Sequence, residues 1–292
     1  MKTSYDYLQE LCALPPDFNA RRPQADPRNR RVRYLLQALN TMGVEHQIDC
    51  FAASGYGDAQ ADAPRFANIV ACVRASAPGA TASVMLLAHH DVANPDLENC
   101  NDNTASCAHL LALLGQLQAA PLPDRTVWVT FVDAEEICSF RRSGAARLAR
   151  QLRTGVYGHV SWCLNLELTA HGTHLYTDRH LPSVAAAAGV PLAEVATPFN
   201  DATVLRHWGI AASAVVGTLP EQELATLREG KTTSCPTWAR CHRVSDRLSH
   251  ARAEDMVQFG QTLYRIARFS ALSGMGVAVA SSEAGSALHH TL

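Results

Sequence analysis

No apolar run in this 292-residue chain is long enough to cross a bilayer. Neither charge is in excess: the net charge is -2 and the pI near 6.7, which gives a polyanion such as nucleic acid or an anionic membrane surface no electrostatic hold. Internal repeats and an acidic tail are missing. The nine cysteines are odd in number and contain no CxxC spacing, which argues against a disulfide framework and for reduced thiols. Met1 to Asp6 leads straight into an amphipathic pattern without an apolar targeting stretch, so the expected location is cytoplasmic. What remains is a chain 47% hydrophobic and 18% charged, enough to bury a sizeable core.

The hydrophobic period alternates between helix and strand along the length. Helices are expected at residues 5–14, 30–42, 104–117, 143–152, 181–189, 201–208, 221–228 and 253–271, and strands at 44–51, 68–73, 83–88, 126–132, 159–168 and 210–216. Pro15-Pro16 ends the first helix and Gly43 stops the second. Residues 19–29 and 52–64 read as loops, as do long stretches of 175–198 and 217–240 around their short helices. This order predicts an α/β fold: a three-layer α/β/α sandwich around a mixed, mostly parallel sheet, with one domain over residues 1–272 and a loosely held Gly/Ser/Ala-rich tail over 273–292.

The polar residues with chemical potential sit where strands end. His89 and Asp91 close the strand 83–88, and Asp102 opens the next helix. Glu135 and Glu136 follow the strand 126–132, Glu167 closes the strand from 159, and His242 and Asp246 precede the last helix. Sites in open α/β sheets gather at the carboxyl ends of strands, so these side chains are placed to converge. A His-x-Asp at a strand end with an isolated Asp at a helix start suits a metal site.

Taken together, His89-His90-Asp91, Asn101-Asp102-Asn103, Glu135-Glu136, Asn165-Leu166-Glu167 and His242-x-x-x-Asp246 stand in the order found in the co-catalytic zinc aminopeptidases. That family also contains glutamate carboxypeptidase II and the glutaminyl cyclases. The segment from Asn200-Asp201 to Gly209-Ile210 is similar to a further motif of the family. The resemblance implies a hydrolase of amide or peptide bonds acting on a small peptide or amide, with zinc as cofactor: two ions, or one. Asp102 would bridge them, His89 and Glu167 completing one site and Glu136 and His242 the other. Attack by a metal-bound hydroxide would use Glu135 as general base. Asp91 would fix the tautomer of His89, Asp246 would steady the loop of His242, and the Asp102–Asn103 peptide bond would be cis. Asp201 would bind a substrate amine or merely cap its helix. A glutaminyl cyclase-like acyltransferase with one zinc, and a specialised amidase for a peptide-like metabolite, stand as alternatives.

The donor chemistry is consistent with zinc, which takes imidazole nitrogen and carboxylate oxygen at about 2.0–2.2 Å. Adjacent glutamates on an extended backbone would point to opposite sides, one to metal and one to water. Some positions depart from the family pattern. Glu167 stands where relatives carry aspartate, Cys107 where they often carry glycine, and Cys138-Ser139-Phe140-Arg141-Arg142 replaces a Gly-Leu-x-Gly run. Cys241 stands where cyclases have an aromatic residue before the last histidine. His90 is expected to pack beside the site. His171 and His174 are expected on a surface loop, the cysteines near the ligands as small hydrophobes, and the arginines of 21–33 on a solvated face.

Overall fold

The computed structural model describes residues 1–14, 30–52, 65–93, 97–137, 139–231 and 234–268. The proline break at 15–16, the loops 19–29 and 53–64, Cys138, and the tail 273–292 with His289-His290 lie outside the described residues. One eight-stranded sheet runs through the molecule. In chain order the strands are β1 Glu45–Ala52, β2 Arg65–Val73, β3 Ala82–His89, β4 Arg125–Val132, β5 Val160–Leu166, β6 His174–Thr177, β7 Leu192–Glu194 and β8 Ser213–Leu219. The helices are α1 Ser4–Cys12, α2 Arg30–Met42, α3 Ala105–Ala119, α4 Gly144–Arg153, α5 Pro182–Ala188, α6 Asp201–His207, α7 Glu221–Arg228, α8 Pro236–Arg240 and α9 Ala253–Arg268.

The strand order is β1-β2-β4-β3-β5-β8-β6-β7. β4, β3, β5 and β8 are parallel to one another, β2 pairs antiparallel with β4, and β6 antiparallel with β8. The expected mixed, mostly parallel sheet with helices on both faces is what the chain forms. Alternation along β3 sorts the layers: Val84, Leu86 and Ala88 join a core with α1, α2, α3, α5 and α9, while Met85 and Leu87 join one with α4 and α6. α3 is apolar on all sides up to Gly115 because it is covered there on all sides, and exposure begins only in its last turn, at Gln116 and Gln118. Leu110, Leu111, Leu114 and Leu117 are fully buried between sheet and helices, each stabilising the fold by roughly 2 kcal/mol. The α9 stripe Met256, Phe259, Leu263 and Ile266 faces the same core, and Gly43 ends α2 with a left-handed φ of 66°.

Four elements differ from expectation, the first being α8, a helix within the stretch 217–240 read as loop beyond residue 228. β8 starts at Ser213 rather than residue 210, because Ile210 still belongs to the end of α6: its N–H donates to Leu205 O. β8 then continues through Gly217 to Leu219, where β6 pairs with it. β6 and β7 lie within the stretch read as loop, too short at four and three residues to display a period. His174 accordingly begins a strand rather than lying in a loop.

His109 on α3 is buried, with Nε2 3.3 Å from Thr169 O and Nδ1 without a partner. Burial pushes its imidazole down from 6.5 to about 4. Between these values the unfolded chain takes up a proton that the fold refuses, so stability falls as pH drops, by roughly 1.4 kcal/mol per pH unit for this residue. His109→Gln keeps an amide N–H for Thr169 and does not titrate. Urea unfolding at pH 7 and pH 5 is expected to show a smaller acid loss in this variant than in the parent chain; equal losses would contradict the assignment.

Candidate metal centre

β4, β3 and β5 are neighbours, and their carboxyl ends put the chemistry side by side. His89 is the last residue of β3, opposite Val132 of β4, and Leu87 pairs with Asn165 of β5. Glu135 and Glu136 lie just beyond β4 and Glu167 just beyond β5. Asp102 comes from a kinked, non-helical turn within Cys100–Thr104 that leads into α3, and the Asp102–Asn103 peptide bond is cis, as the resemblance implies. His242 comes from the turn after α8.

These residues form two triads that share one carboxylate. Donor atoms of His89, Asp102 and Glu167 lie within 4.8 Å of one another, as do those of Asp102, Glu136 and His242. Asp102 serves each with a different oxygen: Oδ1 is 3.3 Å from His89 Nε2, and Oδ2 is 3.2 Å from His242 Nε2. Glu136 Oε2 is 2.9 Å from His242 Nε2, and Glu167 Oε2 is 3.8 Å from His89 Nε2. Glu135 belongs to neither triad and stands 4.0 Å from His89 Nε2.

The backbone is bent to achieve this. Among the described residues, the non-glycine positions with left-handed φ are Asn99, Ala134, Leu168 and His242. His242 is a triad residue, Leu168 follows Glu167, Ala134 precedes Glu135, and Asn99 lies three residues before Asp102; such a conformation costs of order 1–3 kcal/mol and clusters at functional sites. Ala134 also corrects the expected fork of the glutamate pair. Glu135 and Glu136 are not on an extended strand; they enter a turn, and the Asp91 carboxylate grips it by accepting from both amides, at 3.2 and 3.1 Å. Ala93 N donates to Glu136 Oε1 and fixes its head.

Asp91 therefore does more than face His89. Its Oδ1 is 3.5 Å from His89 Nδ1, while its own backbone carbonyl is nearer at 3.2 Å. Asp246 also acts elsewhere than expected: its carboxylate accepts from Asn101 N at 2.8 Å and Asp102 N at 3.0 Å, so it holds the Asp102 turn and not the His242 loop. Asn200, not Asp201, caps α6, by accepting from Thr203 N. Asp201 is fully buried with both carboxylate oxygens unpartnered. Asn165, whose motif was legible but whose task was not, donates to Glu167 Oε1 at 3.0 Å, and Asn103 donates to Leu166 O. His90 is buried beside the site on Ala67 O. Cys107 Sγ donates to His89 O, and Arg31, read as part of a solvated face, reaches Thr104 Oγ1 in the turn.

Electrostatics fit the donor set to a cation. Burial, opposed by His89 and reinforced by neighbouring carboxylates, pushes Glu167 up to about 8 and Glu135 well above the carboxylate range. Burial and the Asp91 and Glu136 charges likewise raise Asp201 to about 7. Hydrogen bonds to Asp102 and Glu136 raise His242 to about 10. Acceptor-rich carboxylates crowded against imidazoles that hold protons reflect negative charge in need of compensation. Divalent cations between these atoms would supply it and return the imidazoles to neutral ligands. The residues present thus suit zinc.

The site opens into a cavity of about 310 Å³ whose further walls are Pro198, Phe199, Asn200, Trp238 and Cys241. Of these, Asn200 and Cys241 stood in or beside recognised motifs, whereas no motif marked Pro198, Phe199 or Trp238. Behind Glu167, a Cβ on Gly217 would meet Glu167 O at 1.9 Å and the Tyr176 ring at 2.4–2.5 Å. Gly217→Ala is expected to destabilise the fold by roughly 3 kcal/mol, the upper end of the usual range for overpacking, since backbone must move. Thermal unfolding measures this, and an unchanged midpoint would refute the contact.

A model of peptidase family M28 matches residues 68–266. Among solved structures, the chain is similar to a zinc-dependent exopeptidase from Parabacteroides distasonis, with a TM-score of 0.68 and 17% identity over 91% of this chain and 97% of that one. It is also similar to a Bacteroides thetaiotaomicron glutaminyl cyclase bound to N-acetylhistamine, at 0.68 and 17% over 92% and 97%. A leucine aminopeptidase precursor from the same organism gives 0.66 and 17% over 92% and 96%. No curated protein sequence matches significantly. Among the described residues no helix is long and apolar enough to cross a membrane.

Proposed function

The chain belongs to peptidase family M28, and from that premise we propose that it is a zinc-dependent aminopeptidase acting on small peptides or related amides. The observation that carries this reading is the sharing of Asp102: its two oxygens serve two triads, with Glu135 beside them and part of neither. His89, Asp102 and Glu167 would hold one zinc ion, and Asp102, Glu136 and His242 the other. Zinc supplies Lewis acidity, polarising a carbonyl oxygen and acidifying water.

The chain's own residues do the rest. Glu135 takes the proton of the attacking water and returns it to the leaving amine; burial, which favours its neutral form, suits an acid–base group. Asp91 positions it through the amides of 135 and 136. Asp201, buried and unpartnered beside the wall residue Asn200 and not itself lining the cavity, is assigned an electrostatic pull on the substrate's amine. Phe199 and Trp238 form an aromatic wall for the substrate side chain. The free thiols, including the buried Cys72, Cys107 and Cys163, support a reducing cytoplasm as its location.

A second reading, a single-zinc glutaminyl cyclase-like acyltransferase, is favoured by one asymmetry. The His242 triad is tight, with contacts of 2.9 and 3.2 Å, whereas Glu167 stands 3.8 Å from His89. A screen of aminoacyl anilides, N-acyl amino acids and glutaminyl peptides, on chelator-stripped chain with and without zinc, separates the readings. Zinc-restored release of aniline with two ions bound at the triads supports the aminopeptidase. Pyroglutamate release with one ion, and no hydrolysis, would replace it with the cyclase.

A further inference from the structure

Beside the turn that carries Asp102 lies a second cluster of metal-binding side chains. Cys12 closes α1, and Cys100 opens the kinked turn two residues before Asp102. The two sulfurs and a Glu98 carboxylate oxygen all lie within 4.8 Å of one another. Both cysteines are free thiols; Cys100 is buried and Cys12 half-buried. Glu98 and Cys100 are two residues apart, but Cys12 comes from a distant part of the chain, so the fold and not local spacing brings its sulfur to the pair. None of them belongs to the two triads described above.

We propose that Cys12, Cys100 and Glu98 form a separate binding site for a borderline or soft divalent cation, zinc or cadmium. Two sulfurs and a carboxylate oxygen are three of the four donors that such an ion takes, and the half-buried Cys12 leaves a side from which water can supply the fourth. Binding forms two metal–sulfur bonds and one metal–oxygen bond and releases both thiol protons to solvent. The occupied site has one net negative charge: three anionic ligands against a divalent ion.

The position gives occupancy a structural consequence. Glu98 Oε1 also accepts from Leu248 N at 2.6 Å, just past Asp246, whose carboxylate holds Asn101 N and Asp102 N. Cys100 N in turn donates to Asp246 O. A cation held here ties the end of α1 to the segment that presents Asp102, through ligands that do not enter the cavity. The site therefore acts on the active-site geometry as a brace.

The test uses the full chain, stripped by chelator under reducing conditions and titrated with Cd²⁺ alone, followed by ultraviolet sulfur-to-cadmium charge-transfer absorbance. The five residues of the triads offer only nitrogen and oxygen, so cadmium bound there adds no such band. The band is expected in the parent chain, saturating at one thiolate site per chain. It should remain in Cys241→Ser, which removes the thiol of the cavity wall, and vanish in the Cys12→Ser/Cys100→Ser double variant. Glu98→Gln is expected to weaken the apparent affinity about tenfold or more, as loss of a charged partner does at metal sites. Circular dichroism checks that the double variant folds; if it does not, Cys12→Ser alone, at the half-buried position, must lose the band. A band that survives loss of Cys12, or no band in the parent chain, overturns the proposal. So does a pair of thiols that become titratable only after reduction, since that makes the pair a disulfide.

Discussion

Glu135→Gln is expected to lower kcat by about 10²–10⁴-fold, the worth of a positioned acid–base group, with zinc content unchanged. The substitution isolates the proton-transfer step because little else depends on the Glu135 carboxylate. Its amide is held by Asp91 Oδ1, and glutamine keeps that amide. Its head lies 4.0 Å from His89 Nε2, outside the two triads, so ligands on both sides are retained. Glutamine matches the shape of glutamate but cannot take a proton from water, and the barrier rises by about 3–5 kcal/mol. Metal analysis and kcat on an aminoacyl anilide check it together. Full activity with both ions in place would remove Glu135 from the mechanism. Loss of zinc would make it a ligand instead, and KM alone rising would make it a substrate contact.

Much of this site was legible because its chemistry sits at predictable places. His89, Glu136 and Glu167 follow buried apolar strands whose ends a period of two locates, and parallel β4, β3 and β5 then bring those ends together. Asp102 and His242 stand before helices rather than at strand ends, a weaker positional signal. Their roles as ligands came from the order of motifs, an order shared by a family whose model spans residues 68–266. The fold was legible where segments were long: α9 showed its stripe, and α3 its apolar run up to Gly115. β6 and β7 were not, since four and three residues hold no readable alternation, and their place is decided by the far end of β8.

The supporting residues were illegible for a different reason. Asp91 and Asp246 were identified as carboxylates near the site, but sequence spacing does not tell which amides a carboxylate meets. Asp246 is 144 residues from Asp102, yet it holds that residue's N–H. The left-handed backbone at Ala134, Leu168 and His242 was equally hidden, because none is a glycine that would announce it. Tertiary contacts impose these conformations, and they are what aim Glu135, Glu167 and His242 at the cavity. The same contacts explain why Asp201 is no helix cap: Asn200 already fills that role, which leaves a buried carboxyl without a structural partner.

Asp102→Asn is expected to disturb both zinc positions at once and to reduce activity more than about 100-fold, beyond what loss of an outer partner of a ligand costs. The carboxylate is 7% exposed and anchors the whole arrangement, with Oδ1 toward His89 and Oδ2 toward His242. An amide has one oxygen, so one triad receives an NH₂ that donates hydrogen bonds and cannot ligate. The other keeps its oxygen but loses the charge that helps to balance the cation. The turn itself should survive, because Asp246 holds it through the backbone of residues 101 and 102, which the substitution leaves alone. Single-triad variants supply the comparison. His242→Ala should cost the zinc held with Glu136, and Glu167→Ala the zinc held with His89, each leaving the other bound. Bound zinc per chain, measured in a Cys12→Ser/Cys100→Ser background so that only the triads are counted, and after dialysis against a weak chelator, should therefore fall from two to one in those variants and below one in Asp102→Asn. Two retained ions in Asp102→Asn would mean that the two triads do not share this carboxylate as ligand. One ion in the parent chain, lost with His242→Ala and unaffected by Glu167→Ala, would assign the tight triad alone to zinc and leave His89 and Glu167 to substrate.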